Sequence, residues 1–160
     1  MENENQKLTR STELLRSFWH IQKNLMRLMQ KSAVENGLSV PQYSIMMKII
    51  HHKDMTQKIV GEKTFLPKST LSQAVDGLVR EGLLNRQQVE GNRREIQLSI
   101  NEKGVNLIKT IHLQEGGIHQ VFQGAIESLT EKQYEELLGA HNQITAYLET
   151  QAPEQGECSK

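Results

Sequence analysis

LPKSTLSQAVDGLVREGLLNR, residues Leu66–Arg86, is the stretch that decides the fold. Leu71, Val75, Leu78 and Val79 recur at helical spacing and define one buried face. The opposite face carries Lys68, Ser69, Thr70, Gln73 and Arg80, short or basic groups suited to polar contacts. Pro67 belongs in a first turn, where its missing N–H costs nothing. Gly82 stops the helix. Alone, this is an ordinary amphipathic helix, and its neighbours give it meaning.

Just upstream, a short helix is expected from about Thr56 to Lys63, with Ile59 and Val60 buried, and Thr64–Leu66 turns the chain. Two short helices joined by a tight turn make a helix-turn-helix, placed at about residues 55–80. Downstream, Leu84–Val89 reads as a strand, Glu90-Gly91-Asn92 as a turn, and Ile96, Leu98 and Ile100 alternate as on a half-buried strand. A hairpin after a helix-turn-helix is a wing, about residues 84–100.

Further out, helices flank this lobe. From Lys7 to about Glu35, Leu14, Phe18, Ile21, Leu25 and Leu28 recur at steps of three and four. Trp19, Met26 and Met29 widen that stripe beyond what one small core consumes, so part of it is expected to meet another subunit. Gly37 closes this helix. Ser39-Val40-Pro41-Gln42 fits a capping box opening a second helix, with Tyr43, Met46, Met47 and Ile50 inward and His51, His52 and Lys53 at its end.

Asn101 caps a helix running through Val105, Leu107, Ile108, Ile111, Ile118, Val121, Phe122 and Ile126, with a bend or break expected at Gly116-Gly117. Thr130-x-x-Gln133 opens a last helix carrying Leu137, Leu138, Ile144, Tyr147 and Leu148. Residues 1–6 are read as frayed and 151–160 as a disordered tail. The fold class is mainly α with a small β-hairpin wing. One domain spans 7–150, and helices at about 7–35 and 102–150 lie outside its lobe.

Composition sets limits on partners. Formal net charge is zero over 160 residues, but the distribution is uneven. Six basic residues stand against Glu13 between Lys7 and Lys31, and six against three acidic ones between Lys63 and Arg94. Seven glutamates follow from Glu127 onward. Local basic patches of this kind permit phosphate binding. The single cysteine, Cys158, excludes an internal disulfide framework. No apolar run approaches the ~18 residues of a membrane span, and no signal-peptide pattern appears, so a cytoplasmic protein is expected. No nucleophile elbow, phosphate loop or paired-carboxylate arrangement is visible, so an enzyme is not expected.

In order and spacing, these parts resemble the MarR family of bacterial winged-helix regulators over about Lys7 to Glu149. The resemblance rests on LSVPQYSIM, STLSQAVDGLVREGLLNR, NRREIQLSINEKG and LTEKQYEELL taken together. It implies a homodimer in which the N- and C-terminal helices interlock. It also implies a pseudo-palindromic double-stranded DNA site and, usually, a repressor released by a small-molecule effector or an oxidant.

A helix that enters the major groove reads bases with its N-terminal residues, which here are Lys68, Ser69, Thr70, Ser72 and Gln73. Gln73 can pair bidentately with adenine, and the Thr70 methyl can meet thymine. Ser69 and Thr70 can equally do no more than stabilise the first helical turn. The family's wing carries an Asp-x-Arg motif whose arginine enters the minor groove. The matching positions read Asn92-Arg93-Arg94, so Arg94 falls on the groove arginine and Asn92 replaces the aspartate. Arg93 is a phosphate contact or a solvated turn charge. Arg86 matches a common family arginine on the first wing strand, with an ion pair as its structural alternative; Asp76 is expected off the DNA backbone or paired with a lysine or arginine.

An effector pocket is expected where the first, second and fifth helices meet, with Phe18, Trp19, Tyr43, Met46 and Met47 as its residues. No cofactor or metal is expected. His112 and His119 lie seven apart, two turns along one face and too distant for one ion without a mediating partner, and Cys158 has no setting that would lower its pKa. Two rival readings stay open, a winged-helix protein-interaction module without DNA binding and a metal-sensing regulator.

Overall fold

The computed structural model describes residues 3–52 and 54–151. Lys53 and the 152–160 segment, including Cys158, lie outside the described residues. The chain divides into two compact units at Gln120/Val121.

The first unit opens with α1 (Glu4–Glu35), which starts earlier than expected because the polar Glu4–Gln6 segment continues the helix from Asn3. Leu38 N–H bonds Ala33 O and Gly37 N–H bonds Val34 O, with Gly37 at φ +72°. This paired reversal is a Schellman end, and it satisfies two carbonyls the helix leaves free. Much of the α1 stripe stays exposed: Leu14, Leu15, Trp19, Ile21 and Met26 are all at least 44% open. Its last turns alone are fully buried, at Ser32 and Ala33.

Helix α2 (Val40–Ile49) carries the expected capping box. Gln42 N–H donates to Ser39 Oγ, and Ser39 N–H donates to Gln42 Oε1. Its inward face is Tyr43, Ile45, Met46 and Ile49, with Met47 and Ile50 half-buried at its margin. Strand β1 (Asp54–Thr56) follows, then α3 (Gln57–Thr64), α4 (Lys68–Arg80), β2 (Leu84–Val89) and β3 (Asn92–Ile100). Pro67 takes the position just before α4 rather than within its first turn. Ile59 was expected inside, but it is 39% exposed while Val60 is fully buried. On so short a helix one residue faces the core, and the neighbour 100° around it does not.

The wing is a three-stranded antiparallel sheet of order β1-β3-β2, not a two-stranded hairpin. Met55 of β1 lies opposite Leu98 of β3, and both are buried. The core joins Ile45, Met46, Ile49, Val60, Val75, Leu78, Leu84, Leu98, Ile108 and Ile111, so β3 is anchored into the helices that carry α4.

Helix α5 (Glu102–Leu113) is capped by Asn101, whose side chain accepts from Gly104 N–H. The chain breaks at Gly116-Gly117 and resumes as α6 (Ile118–Glu127). Gly116 takes φ +68°, and Ile118 N–H donates to Ser32 Oγ. This break corrects the expected separation of the two histidines. The His112 and His119 rings meet edge-to-face at 4.0 Å between centroids, because the chain folds back between them instead of rising two helical turns. His119 Nε2 also lies 3.3 Å from the Tyr43 hydroxyl. Among the described residues, no group of three or more His, Cys, Asp or Glu side chains could hold a metal ion.

Burial, and then the neighbouring His112, hold the His119 pKa below its usual value of 6.5. The folded state therefore takes up this proton later than the unfolded chain. The corresponding stability is fully present above the unfolded value and is lost as pH falls from there toward the lower folded value. Melting followed between about pH 7.5 and 5.5 should show the wild type losing more stability on acidification than His119→Gln. Parallel curves for the two proteins would contradict this.

The second unit contains the rest of α6 and α7 (Glu131–Thr150). A Thr130/Gln133 capping box opens α7, as expected. Tyr134, Leu137, Leu138, Tyr147 and Leu148 of α7 are exposed, and none of its residues is buried. No described helix is long and apolar enough to cross a membrane.

Candidate nucleic-acid interface

The N-terminal end of α4 presents Lys68, Ser69 and Gln73 as exposed residues and Thr70 and Ser72 as half-buried ones. Leu71, Ala74, Val75 and Leu78 seat the other face in the core. A polar helix face held rigidly from behind is what groove reading requires.

The wing tip is shaped by its register. Gln88 lies opposite Ile96, but Val89, the next residue, lies opposite Asn92. The intervening residues of β3, Arg93–Glu95, therefore bulge out of the ladder. Asn92 sets this bulge, its Oδ1 accepting the backbone N–H of Arg94 at 3.1 Å. The role of Asn92 here is to shape the backbone, and a neutral amide does that as well as a carboxylate would. Both arginines are exposed on the bulge.

Between the α4 N-terminus, α3 and the bulge lies an open groove of about 850 Å³. Lys58, Lys68 and Arg94 converge on it, with Ser72 and Asn92 on its wall and Glu95 as its carboxylate. Of the residues expected to contact DNA, the groove gathers Lys68, Ser72 and Arg94. Ser69, Thr70, Gln73, Arg86 and Arg93 lie off it. Sequence reasoning passed over Lys58 and Gln57. A basic residue one position inside the Thr56-capped α3 was the available signal. Gln57 also lines the groove, and its Oε1 is buried without a hydrogen-bond partner among the described residues.

Arg86 is not free for a phosphate. Its guanidinium pairs with Asp76 Oδ1 at 2.5 Å, tying β2 to the middle of α4. Ser69, Gln73 and Asp76 share one helix face, so the pair cancels the single carboxylate on that face. Both side chains are more than a third exposed, so the pair itself adds at most about 1 kcal/mol of stability. Arg86→Ala should accordingly leave thermal stability within about 1 kcal/mol of wild type while uncovering Asp76 beside the reading face. DNA affinity should then fall more at low salt than at high salt, because the exposed carboxylate repels phosphate. Equal losses at both salts would show that Arg86 touches DNA in a different way.

The residues expected to hold an effector are not gathered into one cavity. Tyr43 and Met46 are core residues, Phe18 and Met47 are half-buried, and Trp19 is 60% exposed on α1. A cavity of about 510 Å³ does lie beside α2, lined by Asn36, Gln42, Arg80, Lys103 and Leu107 among others, and it contains none of the five. Tyr43 and Met46 were legible as apolar, inward residues, but nothing local distinguishes a core residue from a ligand wall.

Residues 36–95, from the end of α1 to the wing bulge, match the family model described as MarR family. Over this winged-helix lobe the chain is similar to the MarR family. Among curated proteins, the chain is 28% identical over 71 residues to the organic hydroperoxide resistance transcriptional regulator of Bacillus subtilis (strain 168), covering 44% of this chain and 48% of that one. It is 26% identical over 96 residues to the transcriptional repressor YetL of the same organism, covering 59% and 58%. The matches thus span about half the length of these relatives, which are regulators and not enzymes. Among solved structures, a MarR variant from E. coli complexed with operator DNA superposes with a TM-score of 0.67 at 14% identity, covering 89% of this chain and 99% of that one. At that identity the likeness is one of fold, and it reaches past the lobe into the flanking helices of the MarR architecture.

Proposed function

We propose that this protein is a homodimeric, DNA-binding transcriptional regulator, a repressor that binds a pseudo-palindromic operator and is released by a small molecule. The observation that carries the reading is the convergence of Lys58, Lys68 and Arg94 on one groove between a braced helix and the wing bulge. Phosphates supply most of the affinity of such an interface, and a helix N-terminus inserted in the major groove supplies the reading. Lys58, Lys68 and Arg93 take phosphate roles, Ser69, Thr70, Ser72 and Gln73 take base or sugar contacts, and Arg94 takes the minor groove. Arg86 serves the site through Asp76.

Support for the dimer comes from each unit separately. Exposed leucines, Trp19 and Met26 on α1, and Leu137, Leu138, Tyr147 and Leu148 on α7, are more apolar surface than a lone chain usually leaves to water. A repressor role fits YetL, whose name includes that function, and operator DNA is the partner of the E. coli MarR variant. For the effector, Phe18, Trp19 and Met47 are the residues with room to respond. Trp19, the sole tryptophan, should report binding by its fluorescence.

Footprinting on the fragment upstream of the protein's own gene tests the reading. Two protected half-sites about one helical turn apart, ~34–36 Å, are expected from a two-fold dimer. A single protected half-site at saturation would contradict the dimer, and no protection at low salt would contradict DNA binding and favour a protein-interaction module.

A further inference from the structure

We propose that Phe65 is a specificity-determining residue of this interface, its ring receiving the C5-methyl group of a thymine at the edge of the major-groove site. The proposal rests on the reading that duplex DNA occupies the groove beside α4. Phe65 closes α3 with φ 54° and ψ 25°, in the left-handed region. It is the only non-glycine residue at positive φ among the described residues. For a bulky side chain that conformation is strained, and glycine or asparagine would make the same turn at lower cost.

Burial does not offset the strain. Phe65 is 92% exposed, the most open large apolar residue described, so its ring gives the fold almost nothing. A residue that costs backbone strain and leaves an aromatic ring in water is accounted for by something outside the chain. Its place says what that is. Phe65 is the turn of the helix-turn-helix, three residues ahead of Lys68, and the adjacent Leu66 lines the groove with Lys68 and Arg94.

Lys63 and Lys68 flank it in the chain, which suits a polyanion. One ring is far too small to hold a protein partner, whose interface needs on the order of 1,000 Å². At the edges of base pairs in the major groove the apolar group on offer is the thymine methyl, and phenylalanine is among the side chains that meet it.

The test compares the full-length wild type with Phe65→Gly and Phe65→Asn on the fragment upstream of the protein's own gene. The fragment is prepared once with thymine and once with uracil throughout. Uracil removes every methyl group but keeps every phosphate and hydrogen-bonding edge. The wild type should bind the uracil fragment more weakly, by about fourfold for each methyl the ring covers. Both variants should bind the thymine fragment more weakly and discriminate less between the two fragments, while melting no lower than the wild type.

The ratio of ratios isolates Phe65 from other methyl contacts, such as one made by Thr70. Variants with wild-type affinity, or with the wild-type ratio between the fragments, would overturn the proposal. So would a clear fall in melting temperature, since the ring would then be packing within the protein. Failure of the wild type to bind either fragment is a different result, which defeats DNA binding itself and the proposal with it.

Discussion

Replacing Arg94 with alanine is expected to weaken binding to the operator fragment by about 1–3 kcal/mol, roughly 5- to 150-fold. The arginine sits on a bulge whose backbone the Asn92 amide holds, so the side chain is presented with no carboxylate at position 92 to neutralise it. A narrow A·T-rich minor groove has an enhanced negative potential, and a guanidinium placed there gains from it. The loss should therefore be largest on sites flanked by A·T-rich sequence. Anisotropy titration measures it directly, with melting temperature as the control, since Arg94 is exposed and contributes little to the fold. Unchanged affinity would remove the wing arginine from the interface.

Leu98→Ala should be the most damaging single change to the fold, at about 2–5 kcal/mol. Leu98 is fully buried in the centre strand of the wing, opposite Met55 on one side and Arg86 on the other. Truncation leaves a cavity where the sheet meets the helices, and β3 is too constrained on both edges to close it. Urea unfolding should show a lower midpoint with the same slope. Binding per folded molecule should survive at low temperature, because the groove residues are untouched. A loss below about 1 kcal/mol would mean that the sheet is not the anchor of the wing.

What was legible in the sequence was local. The Ser39/Gln42 and Thr130/Gln133 capping boxes, the glycine ends at Gly37 and Gly82, and the break at Gly116-Gly117 each depend on a few adjacent residues, and each lies where expected. Strand β1 was not legible, since three residues are too few to show a period of two. The bulge at Arg93–Glu95 was equally hidden, because register is settled by pairing across the sheet and not by spacing along it.

Partner choice was half legible. Asp76 and Arg86 could each be named as ion-pair formers, but their pairing needed the packing of β2 against α4. The approach of His112 and His119 was misjudged by treating a broken helix as straight. The strain at Phe65 left no sequence signal at all, since an exposed phenylalanine in a turn looks like any other loop residue.

On the proposed reading, the groove lined by Lys58, Lys68 and Arg94 faces duplex DNA, the lysines on phosphates and Arg94 in the minor groove. The salt dependence of binding to the fragment upstream of the protein's own gene tests it most directly. The logarithm of the association constant should fall linearly with the logarithm of salt concentration, with a slope of about −0.9 for each phosphate neutralised. Lys68→Gln should flatten that slope by about one for each subunit bound and weaken binding on all sequences alike. A slope near zero, or a Lys68→Gln slope identical to wild type, would contradict the account.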